Sequence, residues 1–316
     1  MKKIIVFGGG TGLSCLLSGL KQFPVDVTTV ITVSDNGSST GVLKKELDIP
    51  AVGDVGKVLI SMANVDEDFI RLLRYRFSKD GSLYNHPVRN IMLAALIDIK
   101  GSLSEATSTM SRLLNIKGTV LPLTEEKVEL IGKSGRKEYF GQVAVSQNAK
   151  KIRKLDYDHS IHISEKVIEK IGEADLIVFS PGSLYTSILP HLLSQDVRDA
   201  LKRAHAPILY VCNIVTQPGE TDGYSVSDHV RVLNRYLDGR RIDMVLANNA
   251  MPSAETAEHY FRTEGKEPVH VDRPQLEELG VELIEDALLS MENGVIRHNA
   301  LKTAFQVFAF LMRQES

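Results

Sequence analysis

A chain of 316 residues with 43% hydrophobic and 24% charged side chains has the composition of an ordinary globular protein, long enough for one large α/β domain or two small ones without a disulfide or metal staple. Its formal net charge of -3 and pI near 6.3 lack the basic footprint that a nucleic-acid-coating surface needs, so small molecules and proteins are the expected partners. Two cysteines, Cys15 and Cys212, each in an apolar stretch, fit a reduced compartment, and no run approaches the roughly 18 apolar residues of a membrane span, so a cytoplasmic protein is expected.

The first element is an apolar strand, Lys2 to Phe7, ended by three glycines and followed by Leu13, Leu16, Leu17 and Leu20 at helical spacing. Its short apolar run, Ile4 to Phe7, reads as a buried strand and not as a signal peptide. A second strand, Val27 to Val33, stops at the polar cluster Ser34-Asp35-Asn36-Gly37-Ser38-Ser39. This β-α-β opening predicts a doubly wound, Rossmann-like, mostly parallel sheet. The pattern from Asp54 to Leu114 is helical, and residues 124–162 change to short alternating runs around Gly132-Lys133-Ser134-Gly135, expected to form a small β-hairpin insertion between Val128–Ile131 and Tyr139–Val145. Buried strands return at Leu176–Phe179, Ile208–Cys212 and Met244–Ala247, and Ala300–Arg313 reads as a closing amphipathic helix.

Chemistry is expected where these strands end, because ligands of parallel sheets gather beyond the carboxyl ends of the strands. Gly9, Gly10, Thr11 and Gly12 lie at a strand-to-helix turn whose amides suit phosphate oxygens, although the same turn serves as a plain tight connection. It matches neither the strict G-x-G-x-x-G fingerprint, since Leu13 takes the third glycine position, nor a P-loop. Ser34, Asp35 and Asn36 end the second strand; Asp35 is a candidate to accept from a sugar hydroxyl, to hold a magnesium ion between phosphates, or to cap the next helix. Gly182 and Ser183 form a further turn for a second anionic group, and Asn213, Thr216 and Asn248 end the next two strands. No H-E-x-x-H, C-x-x-C or G-x-S-x-G motif is present, and His159 with His162 lacks further clustered ligands for a metal.

Four segments, GGGTGL at Gly8 to Leu13, SDNGSSTG at Ser34 to Gly41, SPGSLYTSILP at Ser180 to Pro190 and YVCNIVTQPGET at Tyr210 to Thr221, resemble the gluconeogenesis factor (YvcK) family within the 2-phospho-L-lactate transferase-like (CofD-like) group. The resemblance runs in order along nearly the whole chain and implies a single CofD-like α/β domain over residues 1–316, carrying the insertion. It further implies a bacterial cytoplasmic regulator of cell shape and cell-wall synthesis on gluconeogenic carbon, binding UDP-N-acetylglucosamine, with no required cofactor, no nucleic acid, and a homo-oligomer or cell-wall synthesis proteins as candidate partners. For such a ligand, Tyr260 is the expected stacking ring for uracil with a wet hydroxyl, and Arg297 the expected fork on the diphosphate. The chain departs from the family pattern in two places. Gly53-Asp54-Val55-Gly56-Lys57 stands where relatives typically have G-D-I-R-N, and Arg89 stands where they have glycine before asparagine. Arg89 is thus a candidate to restore the charge missing at Gly56. Two other readings compete: a CofD-like transferase using a nucleotide diphosphate donor and magnesium held by Asp35, and a nicotinamide-dependent oxidoreductase.

Overall fold

The computed structural model describes residues 1–292 and 294–313. In chain order it forms β1 (Lys2–Gly8), α1 (Gly10–Leu20), β2 (Val25–Ile31), α2 (Ser38–Glu46), α3 (Gly53–Met62), α4 (Glu67–Arg74), α5 (Val88–Lys100), α6 (Leu103–Leu113) and β3 (Thr119–Pro122). The insertion follows, with β4 (Leu130–Ser134), β5 (Lys137–Phe140), α7 (Gly141–Asn148) and β6 (Lys154–Tyr157). The remainder is α8 (Glu165–Glu173), β7 (Leu176–Phe179), α9 (Gln195–Arg203), β8 (Ile208–Val211), α10 (Val226–Tyr236), β9 (Met244–Asn248), α11 (Ala254–Glu264), α12 (Arg273–Glu278), β10 (Glu282–Asp286), β11 (Leu289–Glu292), β12 (Val295–His298) and α13 (Ala300–Arg313).

Seven strands make one parallel sheet in the order β10-β9-β8-β7-β1-β2-β3. Strands β1, β7 and β8 are continuous apolar runs, because a parallel sheet covered by helices buries both faces of its central strands. The winding reverses between β1 and β7, which are paired from Ile4 opposite Leu176 to Phe7 opposite Phe179. A reversal of this kind opens a crevice at the carboxyl ends of the two strands. The expected doubly wound architecture is therefore present, and no helix among the described residues is long and apolar enough to cross a membrane.

Three local expectations need correction. The hairpin of β4 and β5 is present, but β6 adds a third antiparallel strand on the far side of β4. Residues from Gly141 to Val145, expected as strand, begin α7, because Gly141 takes a positive φ of 80° that ends the extended run. The helical stretch from Asp54 to Leu114 is four helices, and the segment between α4 and α5 is held by isolated bridges pairing Phe77 with Tyr84 and Arg76 with Pro87. Pro87 then stands as the N-cap of α5, where its missing N–H costs nothing.

The switch point is tight. A Cβ at position 12 would lie 2.2 Å from the Pro181 carbonyl oxygen, so only glycine lets α1 approach the turn after β7. Gly12→Ala is expected to lower unfolding free energy by about 1–3 kcal/mol in urea titration, because two backbones must separate. An unchanged midpoint would mean that the two turns adjust independently.

Candidate functional site

The crevice is built from the uncapped end of α1. Gly9 at the N-cap has no side chain to satisfy the first-turn amides, and that turn carries no acidic residue. Amides of Gly10, Thr11 and Gly12 thus keep donors that have no intrahelical acceptor, and the helix end adds partial positive charge. Gly10 has φ of 67°, and a Cβ there would meet nothing within 4 Å, so its outer side is open.

A small cavity of about 130 Å³ faces this helix end, with Pro181, Gly182, Asn213 and Gln217 on one side and Lys266, Arg297 and His298 on the other. Asn213 and Gly182 do not present free groups to it. The Gly182 amide donates to Asn213 Oδ1 at 2.8 Å, and Asn213 Nδ2 donates to the Gly182 carbonyl at 2.8 Å. This reciprocal pair joins the ends of β7 and β8 and makes the wall rigid. Ser183 is consumed in the same way: its hydroxyl donates to the buried Glu220 carboxylate, 2.6 Å from Oε2, and accepts from the Thr186 amide at 3.1 Å. Ser146 Oγ also donates to Glu220, at 2.6 Å. Burial pushes the Glu220 carboxyl up, opposed by the Ser146 and Ser183 hydroxyls and the Tyr185 amide. Glu220 was invisible in the sequence as a site residue because its partners come from two distant segments, Ser146 and the turn from Ser183 to Thr186.

The structure places Thr216, Asn248 and Tyr260 in scaffolding positions. Thr216 exchanges hydrogen bonds with Glu267, accepting from its amide at Oγ1 (3.0 Å) and donating to its carbonyl (2.7 Å), which carries Lys266 to the cavity. Asn248 Oδ1 accepts from the Leu288 and Leu289 amides, each at 3.0 Å, and fixes the link between β10 and β11. Tyr260 is 3% exposed and packs with Ile214 and Ile296; its hydroxyl accepts from the Ile296 amide and donates to the Gly294 carbonyl. The expected wet hydroxyl is therefore corrected: Tyr260 holds β12, and so acts on Arg297 through the backbone.

Arg297 is half-buried, with Nη1 donating only to the Ile296 carbonyl at 3.3 Å. It lines both the small cavity and a larger one of about 630 Å³ beside α1, where Asn64 and Glu67 are exposed and Ser61 is half-buried. Cys15 also borders both; burial raises its thiol to about 11, which removes it as a nucleophile at neutral pH.

The other end of the crevice is acidic. Asp35 Oδ1 accepts from the Gly37 amide at 2.9 Å, a turn that leads into α2; Gly37 itself is the N-cap, and that helix start has no side-chain cap bond. Its carboxyl is pushed up by burial first and then by Asp54. Asp54 pairs with Lys57 at 2.8 Å, and its Oδ2 lies 2.9 Å from where a Cβ on Gly9 would stand. Asn36 instead reaches the insertion, donating from Nδ2 to Glu129 at 3.2 Å, while Ser34 Oγ is buried without a partner. Arg89 crosses the position vacated at Gly56, its Cδ 3.2 Å from a Cβ placed there. No group of three or more His, Cys, Asp or Glu side chains arranged to hold a metal ion occurs among the described residues.

A family described as 2-phospho-L-lactate transferase CofD matches residues 4–289. Relatives named gluconeogenesis factor from Halalkalibacterium halodurans and Bacillus subtilis are 39% and 40% identical over 305 residues, which is 96% of this chain in both cases and 94% and 96% of theirs. This chain belongs to the CofD-like gluconeogenesis factor family. A solved structure of a UPF0052 family member from Bacillus halodurans is 39% identical and superposes with a TM-score of 0.92, covering 97% of this chain and 99% of that one. The CofD match spans the insertion and ends at residue 289, before β12, the strand of the β11–β12 hairpin that carries Arg297.

That hairpin is locked to the sheet by His298, whose Nε2 donates to the Cys212 carbonyl at 3.0 Å. Burial lowers the His298 imidazole from 6.5 to about 4, so it is neutral at physiological pH, with the Cys212 bond opposing the shift. Below pH 6.5 the unfolded chain takes up a proton that the folded chain refuses until about pH 4. The stability that neutral His298 contributes is complete above pH 6.5 and is lost as pH falls toward 4. The expected slope is up to about 1.4 kcal/mol per pH unit in chemical denaturation, and His298→Gln should flatten it. Equal slopes in the two proteins would remove His298 from this role.

Proposed function

We propose that the crevice binds UDP-N-acetylglucosamine and that the protein acts through this binding, without turnover, as a cytoplasmic regulator of cell shape and cell-wall synthesis during gluconeogenic growth. The observation that carries the reading is the uncapped end of α1 facing Lys266 and Arg297 across the small cavity. Its volume of about 130 Å³ is below the roughly 300–1,000 Å³ of whole-ligand sites, so it suits a diphosphate alone. The larger cavity shares Thr11, Cys15 and Arg297 with it and offers hydroxyls and amides for the rest of a nucleotide sugar. Family membership supports the role, and relatives bear the name gluconeogenesis factor.

A second reading, a 2-phospho-L-lactate transferase-like enzyme using a nucleotide diphosphate donor and magnesium, is favoured by one feature. Asp54 puts negative charge against the glycine turn, and Asp35 is raised beside it, an arrangement that suits a divalent cation between carboxylates and phosphate. Asp35 and Asp54 fit such an ion, and Lys57 is the competing cation already on Asp54. A bound magnesium would neutralise phosphate charge there.

Calorimetric titration with UDP-N-acetylglucosamine, GDP, GTP and NAD, with and without magnesium, separates the readings. The UDP-sugar is expected to bind most tightly, and Arg297→Ala to weaken it by about 1.5–3 kcal/mol, roughly ten- to a hundredfold. Wild-type affinity in Arg297→Ala would overturn the assignment of the diphosphate to this cavity. Recovery of the ligand unchanged after long incubation is the expected outcome for a regulator; a transferred group would establish the second reading.

A further inference from the structure

Arg89 and Asn90, in the first turn of α5, are 7% and 2% exposed. Arg89 Nε and Asn90 Oδ1 are both buried without a hydrogen-bond partner. Both side chains pack against the same spot on α3: Arg89 Cδ, the carbon bonded to Nε, and Asn90 Oδ1 lie 3.2 and 3.3 Å from where a Cβ on Gly56 would stand. The Asn90 amide is anchored on its other side, Nδ2 donating to Ser39 Oγ at 3.2 Å, and Ser39 is held in turn by His86 at 2.9 Å.

Charge around this point is unbalanced. Arg74 and Arg76 both act on Arg89, and none of the three forms an ion pair among the described residues. Arg76 donates to neutral oxygens of Asn85, at 2.7 Å to the carbonyl and 3.3 Å to Oδ1. Asp54 is the opposing carboxylate, and it is already bonded to Lys57. A buried guanidinium nitrogen without a hydrogen bond, whose opposing carboxylate is already paired elsewhere, is costly, and proteins retain such a group where a ligand completes it.

We propose that Arg89 and Asn90 form a second anion subsite, distinct from the glycine turn, that takes a phosphate group. The orphaned pair is one donor beside one acceptor. Hydrogenphosphate answers both, because its oxygens accept from the guanidinium and its P–OH donates to Asn90 Oδ1. A carboxylate or sulfate dianion offers only acceptors. The subsite, at the junction of α3 and α5, would engage a phosphate on a different group or a different ligand from the one the diphosphate cavity holds.

Isothermal titration of the full chain with inorganic phosphate, against chloride and sulfate at matched ionic strength, tests this, together with thermal unfolding. Wild type is expected to bind phosphate more tightly than sulfate. Arg89→Met, which keeps the stem volume, is expected to weaken phosphate about ten- to a hundredfold and to unfold at a higher midpoint in phosphate-free buffer, having lost an unpaired buried charge. Arg89→Lys keeps the charge without the Nε–H and should bind between the two. Arg297→Ala should retain the Arg89-dependent binding, so loss of the UDP-sugar reading leaves this subsite standing. Wild-type phosphate affinity in either Arg89 variant overturns the proposal. So does a lower midpoint in Arg89→Met, which marks a structural side chain, or a wild-type response no larger than that to chloride, which marks a buried water in place of the anion.

Discussion

The backbone contact between Gly12 and Pro181 is the constraint from which the rest of the crevice follows. With a Cβ position only 2.2 Å from a carbonyl oxygen, α1 can reach the turn after β7 only through glycine. That approach sets the helix end against the reciprocal Gly182–Asn213 pair, and the pair in turn ties β7 to β8. Parallel strands place every loop on one edge, but only this contact closes two of them into a wall.

Polar groups near the wall divide into those that hold it and those left open. Asn213 is satisfied by the Gly182 backbone, and Ser183 and Glu220 satisfy each other, which is the usual fate of buried polar atoms. The first-turn amides of α1 and Arg297 border the cavity with positive charge, and Lys266 lines it while donating to Glu264. Function in this family member is therefore expected from a few open donors on a rigid frame, with Thr216, Tyr260 and His298 acting at one remove by fixing the segments that bear Lys266 and Arg297.

Asymmetry along the crevice sharpens this picture. The Arg297 end is cationic with no carboxylate on the wall of the small cavity, whereas Asp35 and Asp54 occupy the α3 end and are offset by Lys57 and Arg89. Charge of both signs packed at low dielectric is sensitive to any ion that enters, because each carboxylate and each guanidinium shifts its neighbour. The geometry at Gly56 gives the exchange of residues at positions 56 and 89 a physical meaning: the side chain from α5 crosses the space that a side chain from α3 would fill.

Much of the architecture was legible in the sequence alone. Uninterrupted apolar runs at β1, β7, β8 and β9 can only be strands buried on both faces, and the glycines after β1 mark a strand-to-helix turn, so periodicity and turn chemistry determined the parallel sheet and the edge that carries the site. The extended family motifs carried the membership. Short strands such as β6, β11 and β12 escaped notice because four residues show too little alternation to distinguish from loop. Tertiary structure alone decided which polar residues stay free. Ser183, Asn213, Thr216 and Tyr260 stand at the expected ends of their segments, yet each is satisfied by a partner at least 31 residues away, apart from Ser183's local bond to Thr186. A hydroxyl or amide in a loop is a candidate ligand group in the sequence, and only the folded neighbours determine whether its hydrogen-bonding capacity is already spent.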